Sequence, residues 1–314
     1  MVGMNNMRNT VTRLASKVLG QVLAGAGLLF MTPLFTPSLA GAPVFRDLAY
    51  VDGGTREQRL DLVLPAPPSP ERTPAPLIIW IHGGGWENGS YHQNPAQAMA
   101  ERGYAVASIG YRLSSQAKYP AQIEDCRAAV RWLRAHAAEY GLDPERFGVW
   151  GASAGGHLAA LLGTAAGEKR FDVGENLDQS SAVRCVIDSF GPSDLLHWGD
   201  PPLLAALDTA DTAVARLLGG RVRDHAELAR LASPVTFVDR RSAPFLILHG
   251  ERDPIVPVQQ SVVLDAALRR AGVESTLVII PGAGHGGGVF SDARILVQMA
   301  AFMDRHLLAK APAR

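Results

Sequence analysis

Leu77-Ile78-Ile79-Trp80-Ile81 is apolar at every position. A strand with one face in water alternates polar and apolar residues. One that is apolar throughout is buried on both faces, as a central strand of a parallel sheet is. Such a strand needs crossover helices to cover it, and the rest of the chain provides the pattern. Strand-like runs at residues 104–109, 147–150, 183–190, 245–248 and 276–280 alternate with helical patterns at 93–102, 120–140, 157–162, 256–271 and 293–308. In the longest of these, Ile123, Cys126, Val130 and Leu133 fall on one face. The expected fold class is therefore α/β, with a mostly parallel central sheet flanked by helices on both faces. Residues 44–51 and 59–64 read as a strand pair joined at Asp52-Gly53-Gly54, and the proline-rich 65–76 as an exposed connection. Residues 191–241 are irregular and mostly helical, which predicts a small cap-like insertion within a single domain spanning 41–314.

The first forty residues differ from the rest. Arg8, Arg13 and Lys17 precede an acid-free apolar stretch from 18 to 35, and Ser38-Leu39-Ala40 offers small residues where a signal peptidase inspects them. Residues 1–40 are expected to be a signal peptide cleaved near Ala40, giving a secreted or periplasmic protein. Pro33, Pro37 and the glycines of this stretch interrupt a spanning helix, so no stable membrane insertion is expected after removal. The 314 residues carry formal net charge zero, with 19% charged residues. A nucleic-acid partner, which needs a basic surface to displace counterions, is not expected. Cys126 and Cys185 suit two small buried hydrophobes, and their pairing stays open. Two cysteines make a zinc cluster improbable, and no metal is expected. Nothing in the sequence sets an oligomeric state.

Chemistry collects where the strand patterns end. Gly151-Ala152-Ser153-Ala154-Gly155 follows the 147–150 strand and precedes a helix, the strand–turn–helix context of a nucleophile elbow. Glycines at 151 and 155 would let neighbouring backbone pass close to the turn. A serine hydroxyl attacks well only when a base takes its proton. His285, with five glycines within three residues on either side, stands after the 276–280 strand as that base. Asp253, after the 245–248 strand, would hold the imidazole in the right tautomer, with Asp239 and Asp265 as weaker rivals. Asp253 also has a bland reading, as the cap of a helix starting near Pro254. His82-Gly83-Gly84-Gly85-Trp86, after the 77–81 strand, offers the amides of Gly84 and Gly85 for an oxyanion, with the amide of Ala154 as the other arm. His82, His157 and His249 read as scaffold. Trp86 either lines an acyl pocket or packs its loop; Glu87 and Trp198 are the other candidates for substrate contact. Activity is expected to fall on acidification as His285 protonates, because only neutral imidazole accepts the serine proton.

Competing motifs carry less. Gly282-Ala283-Gly284-His285-Gly286-Gly287 fits G-x-G-x-x-G, but only one helix remains after it, where a dinucleotide site needs a further βαβ unit. No phosphate-cradling G-x-x-x-x-G-K-[ST] loop occurs.

At these residues the chain resembles the α/β-hydrolase superfamily, over nearly all of its length after residue 40. His82-Gly-Gly-Gly-Trp86, Gly151-Ala-Ser-Ala-Gly-Gly-His157, Ser233-Pro-Val235, His249-Gly-Glu-Arg-Asp-Pro254 and Pro281-Gly-Ala-Gly-His285 are similar to those of bacterial carboxylesterases grouped with feruloyl-esterase-like enzymes, neighbours of the hormone-sensitive-lipase-like esterases and of kynurenine formamidase. The resemblance implies a cofactor-free serine esterase with Ser153, Asp253 and His285 as triad, acting on short-chain or aryl, feruloyl-type esters, free or polymer-linked. It also admits an amidase of the kynurenine formamidase type, or a non-catalytic binding protein on the same fold. No helical cap follows residue 40, which argues for an open acyl pocket and against long-chain lipids.

Overall fold

The structure is a computed structural model that describes residues 41–65, 74–198 and 209–308. The expected signal segment with its cleavage point at Ala40, most of the proline-rich connection and residues 199–208 of the 191–241 insertion lie outside the described residues.

Eight strands form one sheet in the order β1-β2-β4-β3-β5-β6-β7-β8. They are β1 (Val44–Ala49), β2 (Arg59–Val63), β3 (Ala75–Ile81), β4 (Ala105–Ile109), β5 (Leu142–Ala152), β6 (Val186–Ser189), β7 (Phe245–Gly250) and β8 (Ser275–Ile280). β2 runs antiparallel to both β1 and β4, and every other pairing is parallel. Every residue of β3 is buried, as its unbroken apolar run requires. Alternation still operates inside that run. Leu77, Ile79 and Ile81 enter one core cluster, Ile78 and Trp80 the other, because successive side chains leave opposite faces of a strand.

The helices are α1 (Ala121–Ala135), α2 (Ala154–Thr164), α3 (Ala213–Leu218), α4 (Ala226–Leu231), α5 (Gln259–Arg270) and α6 (Ala293–Leu307). Residues of α1, α2 and α5 fill the cluster on one face of the sheet. Met299, Phe302, Met303 and Leu307 of α6 fill the other, together with Ala96 and Ala100 of the segment Pro95–Arg102. One expectation is sharpened here and one shifts. The helical pattern over 93–102 takes the 3-10 form, in the segment Pro95–Arg102, which opens on its proline. The helix expected over 120–140 breaks at His136, after which a last turn, Ala137–Tyr140, ends on Gly141 in the left-handed region at φ 64°. Cys126 and Cys185 are both buried and unbridged, so the pairing left open by the sequence is resolved as two thiols.

The described part of the insertion carries short helices from Ala213 to Phe237, and it is tied to the core. Leu217, Leu218, Ala229 and Ala232 are buried in the main cluster. The Leu217 carbonyl accepts from the Tyr119 amide and the Leu231 carbonyl from the Tyr119 hydroxyl. No helix among the described residues is long and apolar enough to cross a membrane.

Candidate active site

Parallel strands put their carboxyl ends on one edge of the sheet, where loops from non-consecutive strands meet. Ser153 leaves β5 with φ 55° and ψ −121°, a conformation that a side chain rarely adopts. The turn is held there by close packing. A Cβ on Gly155 would lie 2.1 Å from the Ile81 carbonyl oxygen, so only glycine lets α2 begin against the end of β3. The Ser153 amide is committed to the Ser189 carbonyl of β6 at 2.8 Å, which leaves the hydroxyl as the group the turn presents.

His285 reaches it from the loop after β8. Its Nε2 stands 2.9 Å from Ser153 Oγ, and its Nδ1 stands 2.7 Å from Asp253 Oδ2, after β7. An ionised carboxylate only accepts, so Nδ1 carries the proton and Nε2 is the acceptor for the serine hydroxyl. The three residues singled out by type and chain order are thus brought into one hydrogen-bonded line. Asp239 and Asp265 are not part of it. They pair with Arg241 and with Arg269 and Ser275 respectively.

Asp253 is enclosed completely. Its Oδ1 accepts from the amides of Ile255 and Val256 at 2.8 and 2.9 Å, so it does cap the turn that follows, in addition to facing His285. Its Oδ2 also meets His249 Nε2 at 3.3 Å. Burial pushes this carboxyl up, and the bonds from His249 and His285 outweigh that, holding it well below the usual carboxylate range.

The glycine loop lies against the elbow. A Cβ on Gly83 would stand 2.7 Å from the Ala152 carbonyl oxygen, and Gly84, Gly85 and Trp86 have φ of 114°, 62° and 59°. The Gly84 carbonyl accepts from the amides of Glu87 and Asn88, which turns the loop back on itself. His82 anchors its root. The ring stacks on Tyr111 at 4.4 Å and donates from Nδ1 to the Gly83 carbonyl, and burial pushes it down to about 4. His157 is likewise neutral scaffold, lowered to about 4 by burial, donating from Nε2 to the Ala232 carbonyl.

Two of the three residues offered as substrate contacts are engaged elsewhere. Trp86 is 2% exposed, and its indole N–H donates to His157 Nδ1 at 3.2 Å, so of its two readings the structure chooses loop packing. Glu87 is spent on Arg216 of α3, to which both of its oxygens bond. The ion pair ties the glycine loop to the insertion, and Ala213 at the start of α3 packs beside Gly85, 3.3 Å from where a Cβ would be. Trp198 is half-buried against the main cluster, on the flank of residues that are not described.

One contact had no sequence signal. Phe190, just after β6, has φ 47°, costly for a bulky residue, and its ring meets His285 edge-on at 4.8 Å and Phe290 at 4.7 Å. Away from this edge, Asp47, Asp61 and His92 bring their ligand atoms within 4.8 Å of one another. Asp61 is already occupied there, by Arg46 and His92 on Oδ2 and the Asp47 amide on Oδ1.

An eight-stranded, mostly parallel sheet with a strained serine between β5 and α2 defines an α/β-hydrolase fold, with a serine, a histidine and an aspartate joined at its carboxyl edge. The sequence profile of the BD-FAE family matches residues 60–268, and the chain belongs to that family. The esterase LipQ of Mycobacterium tuberculosis is 34% identical over 270 residues, covering 83% of this chain and 61% of LipQ. The chain thus spans about three fifths of that relative's length. A truncated form of a carbohydrate esterase from gut microbiota superposes with a TM-score of 0.79 at 31% identity, over 87% of this chain and 99% of that one. Esterase 2 of Thermogutta terrifontis, in a structure phosphorylated by paraoxon, gives 0.67 at 26% identity, over 88% and 99%.

Proposed function

We propose that this protein is a carboxylic ester hydrolase working through a covalent acyl-enzyme. The unbroken line Ser153 Oγ, His285 Nε2, His285 Nδ1, Asp253 Oδ2, with contacts of 2.9 and 2.7 Å, carries the reading. Ser153 attacks the ester carbonyl while His285 takes its proton. The tetrahedral intermediate bears an oxyanion, for which the amides of Gly84, Gly85 and Ala154 are the donors proposed. One such donor is worth about 3–4 kcal/mol of transition-state stabilisation. His285 then returns the proton to the leaving alcohol, and water repeats the sequence on the acyl-enzyme. Asp253 stays ionised and stabilises the imidazolium.

The proposed substrates are short-chain or aryl, feruloyl-type esters, free or linked to a polymer. The similarity to a carbohydrate esterase supports the linked form. The composition of residues 1–40 supports export to the periplasm or medium. Ser153→Ala is expected to abolish turnover of p-nitrophenyl acetate and labelling by a fluorophosphonate. Full turnover by that variant would defeat the reading, and a panel of acetyl, butyryl and feruloyl esters reads the substrate class.

A further inference from the structure

The mechanism above uses one histidine, yet two imidazoles meet the same carboxylate oxygen. His249 is fully buried at the end of β7. Its Nε2 is 2.8 Å from the Val256 carbonyl, which can only accept, so Nε2 carries a proton. Its Nδ1 is 2.7 Å from the Ser261 hydroxyl of α5, which donates to that nitrogen when the ring is neutral. With the tautomer set from both sides, Nε2 also lies 3.3 Å from Asp253 Oδ2, a longer secondary contact for the proton it gives to the Val256 carbonyl, on the oxygen that His285 holds at 2.7 Å. The other carboxylate oxygen is occupied by two backbone amides. Oδ2 is therefore divided between an imidazole in the line to Ser153 and one outside it.

We propose that His249 is a positioning residue for the proton-transfer line: its Nε2–H holds Asp253 Oδ2, tempers the negative charge that oxygen offers to His285, and so sets the pH at which His285 takes up a proton. The inference rests on the triad reading of Ser153, His285 and Asp253. The titratable groups facing the pair are Asp253 from the loop after β7 and Asp188 from β6, and the uncharged Ser261 hydroxyl of α5 and Ser153 of the elbow contact the rings. The ring of Phe190 covers His285 from the β6 side without charge. Removing the His249 N–H concentrates the carboxylate charge on His285. That stabilises the imidazolium, so His285 protonates at higher pH and the acid limb of activity moves up.

The test is the rate of fluorophosphonate labelling of Ser153 across pH 5 to 9, which needs an activated serine but no ester substrate. His249→Leu removes the N–H and is expected to move the acid limb up by about one unit, with labelling about tenfold slower where the limb is steep. His249→Gln places an amide N–H where Nε2 stood and is expected to return the limb to the parent position. His249→Asn reaches only the Ser261 side and is expected to behave as the leucine variant, which keeps the test open if His249→Leu does not fold. A limb unmoved in both the Leu and Asn variants overturns the proposal even if the rate falls, since a merely structural histidine would lower rate without moving the limb. So does a glutamine variant shifted as far as leucine. Failure of the parent to label at all defeats the triad reading with it, whereas labelling with an unmoved limb defeats this inference alone.

Discussion

Asp253→Asn tests the site more searchingly than removal of the nucleophile, because the replacement has the same shape. The carboxylate takes three hydrogen-bond donors, the amides of Ile255 and Val256 on Oδ1 and His285 Nδ1 on Oδ2, with His249 Nε2 a further contact at 3.3 Å from Oδ2. An asparagine offers one oxygen with two lone pairs and an NH2 that only donates. If the oxygen stays toward the histidines, the NH2 of the enclosed side chain meets two backbone N–H groups in a half-buried turn. Leaving two buried donors unmet costs about 1–3 kcal/mol each, so about 2–6 kcal/mol of stability. If the side chain turns over, the NH2 faces His285 and its Nδ1 must accept. The ring proton then moves to Nε2, which can no longer take the serine proton, and kcat falls by about 10⁴. The two orientations trade stability against activity, so both are read on the same sample: Tm by calorimetry and kcat/KM on p-nitrophenyl acetate. A variant within tenfold of the parent in kcat/KM and unchanged in Tm would refute the role given to this carboxylate. The pH dependence has a fixed sign. A carboxyl held below its usual range adds stability above its unfolded pKa, and that stability is lost as pH falls toward the folded value.

The elbow predicts a steric failure: a Cβ on Gly155 would stand 2.1 Å from the Ile81 carbonyl and 2.6 Å from that of His82. Gly155→Ala is expected to cost about 3 kcal/mol by overpacking and, by displacing Ser153, about 10²-fold in kcat/KM, and an alanine variant with parental Tm and kinetics would contradict it. Glu87→Arg and Arg216→Glu should each raise KM by loosening the glycine loop from α3, and the double exchange should recover it, so single variants with unchanged KM would remove the ion pair from the account. Asp188 is fully buried on β6, and burial pushes it up to about 6, opposed by its bond from the Gly191 amide and the nearby His249. Between its unfolded value and about 6 the folded state binds the extra proton, so stability falls as pH rises through that window, by about 3 kcal/mol. Asp188→Asn should flatten that limb of a Tm-against-pH curve, and a limb equally steep in the variant would refute the assignment.

The parts of this fold legible in the sequence are those written locally. The unbroken run at 77–81 demands burial on both faces, and β3 is buried at every residue. Ser153, Asp253 and His285 each follow directly on a strand pattern, so the topology of a parallel sheet is enough to bring them to one edge. What periodicity does not encode is which neighbour a strand chooses. β2 inserts antiparallel between β1 and β4, and β4 lies outside β3, although both parallel and antiparallel neighbours leave the same alternation in the chain.

The same limit explains the misreading of Glu87, the reading of His249 as scaffold alone and the silence over Phe190. Beside a glycine loop, an acidic residue looks available for substrate until Arg216, distant by 129 positions, is folded against it. His249 ends a strand, where its apolar neighbours make it look like core. Only the turn at Asp253 brings its Nε2 to the carboxylate already assigned to His285. Phe190 carries no motif at all; its left-handed backbone follows from where the chain must leave β6, with the Phe190 amide bonded to the Leu248 carbonyl at 2.7 Å. Residue type and strand position therefore name the three groups joined at the sheet edge. The groups that hold those three in place belong to tertiary contacts, at His249, Phe190 and the Glu87–Arg216 pair, which no local pattern encodes.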